Sequence, residues 1–284
     1  MKFLLIQTLN GLSFGMLLFL MSAGLSLIFG LMRVLNLAQC SYYLLGAYIG
    51  FTVIKITHNF LAAILGAVVG VAIVGIFMQR FFLNRFYKNE RGQVLLTFGF
   101  LFIISDLVLW IWGGTPQSLP TPSLFEESYR FAGIVFPSYR ILVIVVGFIV
   151  AFCMWFFLEK TSLGAILRAG VDDEEMARGM GVNVPFLFTA VFILGAVLAG
   201  FGGVMGGPFV GVYSGMDFEI LVYSFVVVII GGLGSLKGAF MGSLIVGLLD
   251  NFGKVLFPEM SLFTIFAPMA IILAVRPRGL FGKG

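Results

Sequence analysis

Apolar runs about as long as a bilayer is thick recur along nearly the whole chain, and they leave few architectures open. Nearly uncharged stretches occupy 4–31, 36–56, 59–79, 94–113, 139–159, 185–206, 218–236, 238–256 and 261–275. A helix crosses hydrocarbon in roughly 20 residues, whereas a spanning strand needs about half that length with strict alternation. Alternation is missing here, so the spans are helices. Only 11% of the 284 residues are charged and 60% are hydrophobic, with a mean hydropathy of +1.11. Soluble domains carry about 25% charged residues, so this composition cannot clothe a water-exposed surface. The expectation is an all-α, polytopic helical membrane protein forming a single transmembrane domain over 1–284. Nine spans are counted. Eight result if 218–256 holds a broken or re-entrant helix, because Gly231, Gly232, Gly234 and Gly238 cluster at its middle.

The first run, Phe3 to Met32, exceeds the 7–15-residue core of a secretory signal and has only Lys2 before it, so it reads as a mature span. Cys40 and Cys153 lie in apolar context without metal-ligand or pairing spacing and read as reduced bystanders. The formal charge of +4 sits in loops, where membrane topology accounts for it, and gives no footing for nucleic acid. Arg80, Arg85, Lys88 and Arg91 between spans three and four, and Arg276, Arg278 and Lys283 at the end, mark the cytoplasmic side. Alternation then places 160–184 on that side and 114–138, with Glu126 and Glu127, outside, with the N-terminus outside as well.

Glycine is abundant, 37 residues, often in small-xxx-small spacing: Gly11/Gly15, Gly46/Gly50, Gly66/Gly70, Gly202/Gly206 and Gly234/Gly238/Gly242. Such spacing serves ordinary close packing of membrane helices, or discontinuous helices that line a path.

Residues 159–178 break the apolar pattern with eight charged side chains. Thr161 or Ser162 caps a first short helix running through Arg168, and Gly170 ends it. Asp172 caps a second, with Glu175 completing a capping box. Gly181 closes that helix, Asn183 follows, and Pro185 opens the next span. Met176, Ala177 and Met180 form a short apolar strip, too small for a membrane anchor and suited to a groove on another protein. A solvated connector is the plainer alternative.

Polar groups inside the spans are functional candidates by default. Arg33 reads as an anchor, Asn36 and Gln39 as groups facing a path, and Asp106 as a structural hydrogen-bonding group. Asp217 and Glu219 read as capping at an outer helix start, Asp250 and Lys254 as an i,i+4 pair, and His58 as solvated. Trp110, Trp112 and Trp155 suit interfacial belts. No nucleophile–base pair, metal cluster or paired carboxylates stand at usable spacing, so the chain is not read as an enzyme.

The run from Gly164 through Arg168, Asp172, Asp173, Met176, Ala177, Met180 and Gly181 to Asn183 resembles the cytoplasmic coupling loop of permeases from branched-chain amino acid ABC importers, closest to the shorter, LivH-type subunit. Asn10–Gly15, Ala23–Gly30 continuing to Asn36-Leu-Ala38, Gly46-Ala-Tyr48, Gly231–Gly238 and Arg276–Phe281 are similar as well. The resemblance implies a type II-like importer permease in the bacterial inner membrane. It assigns ATPase coupling to Gly164, Arg168, Asp172, Asp173, Met176, Ala177, Met180 and Gly181. Asn36, Gln39, Ser41, Tyr42, Gly202 and Gly203 become the candidate lining of the path. The implied partners are a second permease subunit (a LivM-like paralogue or a second copy), two cytoplasmic ATPases, an external substrate-binding protein and the lipid bilayer, with no nucleic acid. No cofactor belongs to this chain. ATP and Mg sit on the ATPases, because no G-x-x-x-x-G-K-[ST] occurs here. One departure bears on the cargo. The family's His-Gly pair after Asn-x-Ala is replaced by Gln39 and Cys40, and relatives of the family carry urea, short amides or other small organic acids. An ion-driven secondary transporter or channel, and a non-transporting assembly subunit, are the competing readings.

Overall fold

The computed structural model describes residues 2–32, 35–86, 89–131, 134–172 and 174–282. Arg33, Lys88, Asp173 and Lys283 therefore lie outside the described residues, and the side chains of Asp172 and Glu174 are likewise outside them. The helices are α1 (Lys2–Met32), α2 (Gln39–Thr57), α3 (Phe60–Phe81), α4 (Glu90–Trp112), α5 (Ser138–Lys160), α6 (Ser162–Asp172), α7 (Glu174–Gly179), α8 (Val184–Val210), α9 (Met216–Gly231), α10 (Leu236–Leu256) and α11 (Ser261–Val275). A small antiparallel hairpin, β1 (Ser128–Phe131) with β2 (Ile134–Pro137), precedes α5 and pairs Ser128 with Pro137 and Phe131 with Ile134.

Eight helical segments among the described residues are long and apolar enough to cross a membrane. The ninth expected span, 218–236, is instead the 16-residue helix α9. It starts after a non-helical stretch, 211–215, that ends in a turn and in which Gly211 and Gly215 adopt positive φ. The glycine cluster at 231–238 is thus a tight turn between antiparallel α9 and α10, with Gly232 and Gly234 at φ of 102° and 77°.

Burial sorts the helices. α1 is buried on all sides from Met16 to Leu27, as an all-round apolar helix must be when it runs through the middle of a bundle. The peripheral helices bury one stripe each. On α3 it is Ala63, Ala67, Val71, Gly75 and Met78, and on α4 it is Gln93, Thr97, Leu101, Ser105 and Val108, the i,i+4 rows that share a helix face. Glycine sets the contacts at the centre. A Cβ at Gly46 would overlap Gly200, at Gly15 it would meet Ser243 O at 2.8 Å, and at Gly30 it would meet Gly234 O at 2.6 Å. Backbones in those places touch directly, because lipid supplies no hydrophobic force that bulkier side chains could exploit.

Local signals finish the elements. Asn59 Oδ1 accepts from the Leu61 and Ala62 N–H groups at 2.9 and 3.2 Å and starts α3. His58 ends α2 at a φ of 52° and is exposed. Asp250 and Lys254 pair at 2.8 Å, and the Tyr223 hydroxyl donates to the second Asp250 oxygen at 2.7 Å.

One end of the bundle gathers the turn after α1, the start of α4, the end of α5 and the α9–α10 turn. There Thr97 binds Leu35 O and Leu37 N–H, both at 3.3 Å. Lys237 reaches Glu159 at 3.4 Å. The segment after α11 folds onto the same end. Leu280 N–H donates to Ile230 O and Phe281 N–H to Gly231 O, each at 2.9 Å, which satisfies carbonyls that every helix leaves open at its C-terminus. This is the end bearing Arg80, Arg85 and Arg91, and the insert α6–α7 belongs to it.

Candidate functional site

Two places hold the residues singled out in the sequence. The first is the insert. Thr161 is the residue that starts α6: its hydroxyl accepts from Gly164 N–H at 3.1 Å and donates to Phe157 O at 2.6 Å. Gly164 is buried under the last turn of α5, where a Cβ would overlap Leu158 O. The Arg168 guanidinium donates to that same Leu158 carbonyl. α6 is therefore fastened to the end of α5 at three points. It does not stop at Gly170 as expected. It continues to Asp172, because Leu187 packs against the Gly170 position at 3.2 Å and this tertiary contact overrides the local stop signal.

α7 is a single short helix. Ala177 is buried against Val184 and Phe188, while Met176 and Met180 are 64% and 65% exposed. Gly181 takes a φ of 85°, Val182 N–H returns to Ala177 O at 3.0 Å, and Asn183 Oδ1 caps α8 through Phe186 N–H at 3.1 Å. The result is a rooted knob with two flexible thioether side chains facing outward, on an element shared by two long helices.

The second place is the junction of α1, α2, α4, α8 and α9. Gln39 lies wholly inside it, and its Nε2 donates to Gly195 O at 2.7 Å across the position of Gly24. Its Oε1, and both amide atoms of the buried Asn36, find no partner among the described residues. Ser41 Oγ lies 3.3 Å from Leu101 O and 3.4 Å from Asp217 Oδ2. Ser105 Oγ stands 3.5 Å from Asp217 Oδ1. Tyr42 is fully buried, its hydroxyl 2.9 Å from Met78 Sδ and its ring edge-on to Phe192. Gly202 packs near Leu20 and the Tyr43 ring, and Gly203 sits directly on the Tyr43 carbonyl. So Asn36, Gln39, Ser41 and Tyr42 share one buried polar layer, and the two glycines lie in the α1–α8 and α2–α8 contacts beside it.

Asp217 is the member that sequence reasoning missed. It opens α9, as expected, yet it is completely buried and bridges α2 and α4. No periodic or local signal pairs it with residues 176 and 112 positions away. An Asp217→Ala chain takes the carboxylate from the Ser105 hydroxyl and leaves Ser41 with Leu101 O alone, and is expected to lose about 1–3 kcal/mol, read as a lower melting temperature in detergent. Asp217→Asn keeps an acceptor and loses less; equal losses would show that the contacts carry no energy.

Asp106 differs from its expected structural role. It points outward on α4 and has no hydrogen-bond partner among the described residues. It shares a stripe with Leu95, Phe98, Phe102 and Trp110, all exposed. At the basic end this stripe borders a cleft of about 1100 Å³ lined by Phe29, Leu35, Leu37, Val94, Leu95 and Phe98, with Glu90 and Arg91 at its mouth. Among the described residues no group of three or more His, Cys, Asp or Glu side chains is placed to hold a metal ion.

The family described as branched-chain amino acid transport system, permease component, matches residues 7–273. The chain is 27% identical to the high-affinity branched-chain amino acid transport system permease protein BraD of Pseudomonas aeruginosa, covering 98% of this chain and 95% of that one. It is 26% identical to the permease protein LivH of Escherichia coli over the same shares. A probable LivH of Methanocaldococcus jannaschii is 27% identical over 83% of this chain and 76% of its own.

Proposed function

The chain belongs to the family of branched-chain amino acid transport permease components, and from that premise we propose that it is one of two subunits forming the membrane path of an ATP-driven importer for those amino acids. It is a multi-pass membrane permease and not an enzyme. An external binding protein delivers the cargo, two cytoplasmic ATPases hold ATP and Mg, and the assembly sits in a bacterial inner membrane.

The observation that carries this reading is the insert. α6 and α7 stand at the basic end between two long helices, fastened to α5 through Gly164 and Arg168 and to α8 through Ala177. A push on Met176 and Met180 from a groove in an ATPase is thereby delivered to two spans at once. Asp172 and Asp173, next to this knob in sequence, would complete the contact. The energy comes from the partner, and this chain converts it into movement of packed helices.

Asp106 supports a second permease subunit. A carboxyl group facing hydrocarbon is costly, and such groups face a bundle interior or a water-filled cavity. The α4 stripe is where the second subunit, or the path between the two, removes Asp106 from lipid. The buried layer of Asn36, Gln39, Ser41 and Tyr42 lies one helix behind that stripe and holds its inner wall. Gln39 and Cys40, in place of the family's usual pair, make this layer the place where choice among branched-chain amino acids and related small polar solutes is set.

Vesicles containing this chain with a second permease and two ATPases are expected to take up leucine only when both ATP and binding protein are present. Met176→Glu together with Met180→Glu is expected to lower uptake more than tenfold, an effect of ~1.4 kcal/mol or more. Uptake by the purified chain alone, driven by an ion gradient, would reject the assignment.

A further inference from the structure

The first residues of α9, just past the break at 211–215, lie inside the bundle and carry a carboxyl group into it. Asp217 has no exposed surface. Its neighbours are Ser41 near the start of α2, with Leu101 and Ser105 in the middle turns of α4. No Lys, Arg or His among the described residues forms an ion pair with it. A buried charge without a countercharge is costly, and ionisable groups inside a membrane pair with a partner or mark an ion's place. The helix start supplies only partial positive charge, from the Asp217 and Phe218 N–H groups that the carboxylate also meets.

The oxygens gathered there are spaced for an ion. Ser41 Oγ stands 3.3 Å from Leu101 O and 3.4 Å from Asp217 Oδ2, and Ser105 Oγ is 3.5 Å from Asp217 Oδ1. A hydroxyl that gives its hydrogen to a carboxylate closes to about 2.5–2.7 Å. The single Ser41 hydrogen also serves only one of its two acceptors. Oxygens that share a cation at about 2.4 Å, at right angles to one another, stand about 3.4 Å apart. Mg2+, at about 2.1 Å, would draw them to about 3.0 Å, and K+ would spread them further. All the donor atoms are hard oxygens, which suit small hard cations. One carboxylate balances one positive charge, so Na+ fits where the similarly sized Ca2+ would leave a charge unmatched.

We propose that Asp217, Ser41, Ser105 and the Leu101 carbonyl hold one Na+ ion at the junction of α2, α4 and α9. The carboxylate comes from α9, one hydroxyl from α2, and the second hydroxyl and the carbonyl from α4, so the ion joins three helices. Helices that begin inside a membrane recur where ions bind, because polar groups at the break are free to turn toward them. α9 is such a helix, and Gly215 gives its start no side-chain cap. Tyr213, Ser214 and Gly215, immediately before it, are partly exposed and give the ion and its remaining water ligands an entry. The ion is a fastening and not a driving force, and the site stands whether or not the importer reading holds.

The test uses the purified chain in lipid nanodiscs at constant ionic strength, with NaCl exchanged for KCl or N-methylglucamine chloride. Na+ at about a hundred times its half-saturating concentration is expected to raise the melting temperature by about 5 °C. K+ is expected to need at least about tenfold more for the same rise. Ser41→Ala and Ser105→Ala each remove one ligand oxygen and are expected to raise the half-saturating Na+ concentration about tenfold. Ser243→Ala, which touches only Phe240 O on α10, is the control and leaves it unchanged. Asp217→Asn is expected to abolish the rise, and equilibrium dialysis with radioactive Na+ to find a single ion on the parent chain. Equal melting temperatures in all three salts overturn the proposal and place a proton on Asp217 instead. So does an Asp217→Asn chain that keeps the response to Na+. Should that chain not fold, the serine variants decide, and half-saturating concentrations within twofold of the parent overturn the site.

Discussion

Valine at Gly203 is expected to remove the folded permease from the membrane fraction. The Cβ of any residue there falls on the Tyr43 carbonyl oxygen and lies 2.9 Å from Ala47 N. Both obstacles are backbone, so no side-chain rotation relieves them. Gly200 meets Gly46 in the same way one turn earlier, and α2 and α8 are thereby joined along their length at backbone distance. Overpacking of a core costs about 1–3 kcal/mol where side chains can yield, and more here because a helix must translate. Membrane yield and the melting temperature of the purified chain are the measurements, with Gly99→Ala, whose Cβ meets nothing within 4 Å, as the control. A Gly203→Val yield within twofold of the parent would refute the close-packed α2–α8 contact.

Valine at Gly164 is expected to act differently, sparing assembly while disconnecting hydrolysis from transport. The new side chain would collide with Leu158 O and Phe157 O, the carbonyls that Arg168 and Thr161 also engage. α6 must lift from α5, while α7 keeps its own anchor on α8 through Ala177. In the proposed coupling the ATPases still find their knob, but only one of its two spans moves with it. Solute moved per ATP hydrolysed is expected to fall more than tenfold in vesicles, with ATP turnover itself changed less than threefold, the limit set by ~0.65 kcal/mol. Gly179→Ala, in open space on the same insert, is the matched control. Parallel losses of transport and hydrolysis would mean that α6 serves only to build the loop.

The lipid-crossing helices are legible because hydrocarbon imposes a length, and apolar runs near 20 residues meet it. Caps at Thr161 and Gly181 are legible because their partners lie close by in sequence. Glycine spacing marked where helices approach, yet it could not say that Gly46 meets Gly200 or that Gly30 meets Gly234; a small residue is equally small toward every neighbour. The break at 211–215 falls in the gap that the apolar runs leave between 206 and 218. What apolarity alone does not reveal is that the run 218–236 holds only the 16-residue helix α9, which stops at Gly231. Asp217 was read by its place in the first turn of α9, which is right locally and silent about α2 and α4. Asp106 reads as a structural hydrogen-bonding group, whereas it is exposed and has no such partner among the described residues. Local chemistry is written in the sequence, while partners distant along the chain emerge only from packing.

The closure of α9 by Leu280 and Phe281 also sets an order of events during synthesis. Positions 230 and 231 leave the ribosome before positions 280 and 281, and at about 5–20 residues per second the delay lasts several seconds. Through that interval the short helix has open carbonyls at one end and an uncapped start at the other, so α10 and α11 must insert beside an unfinished neighbour.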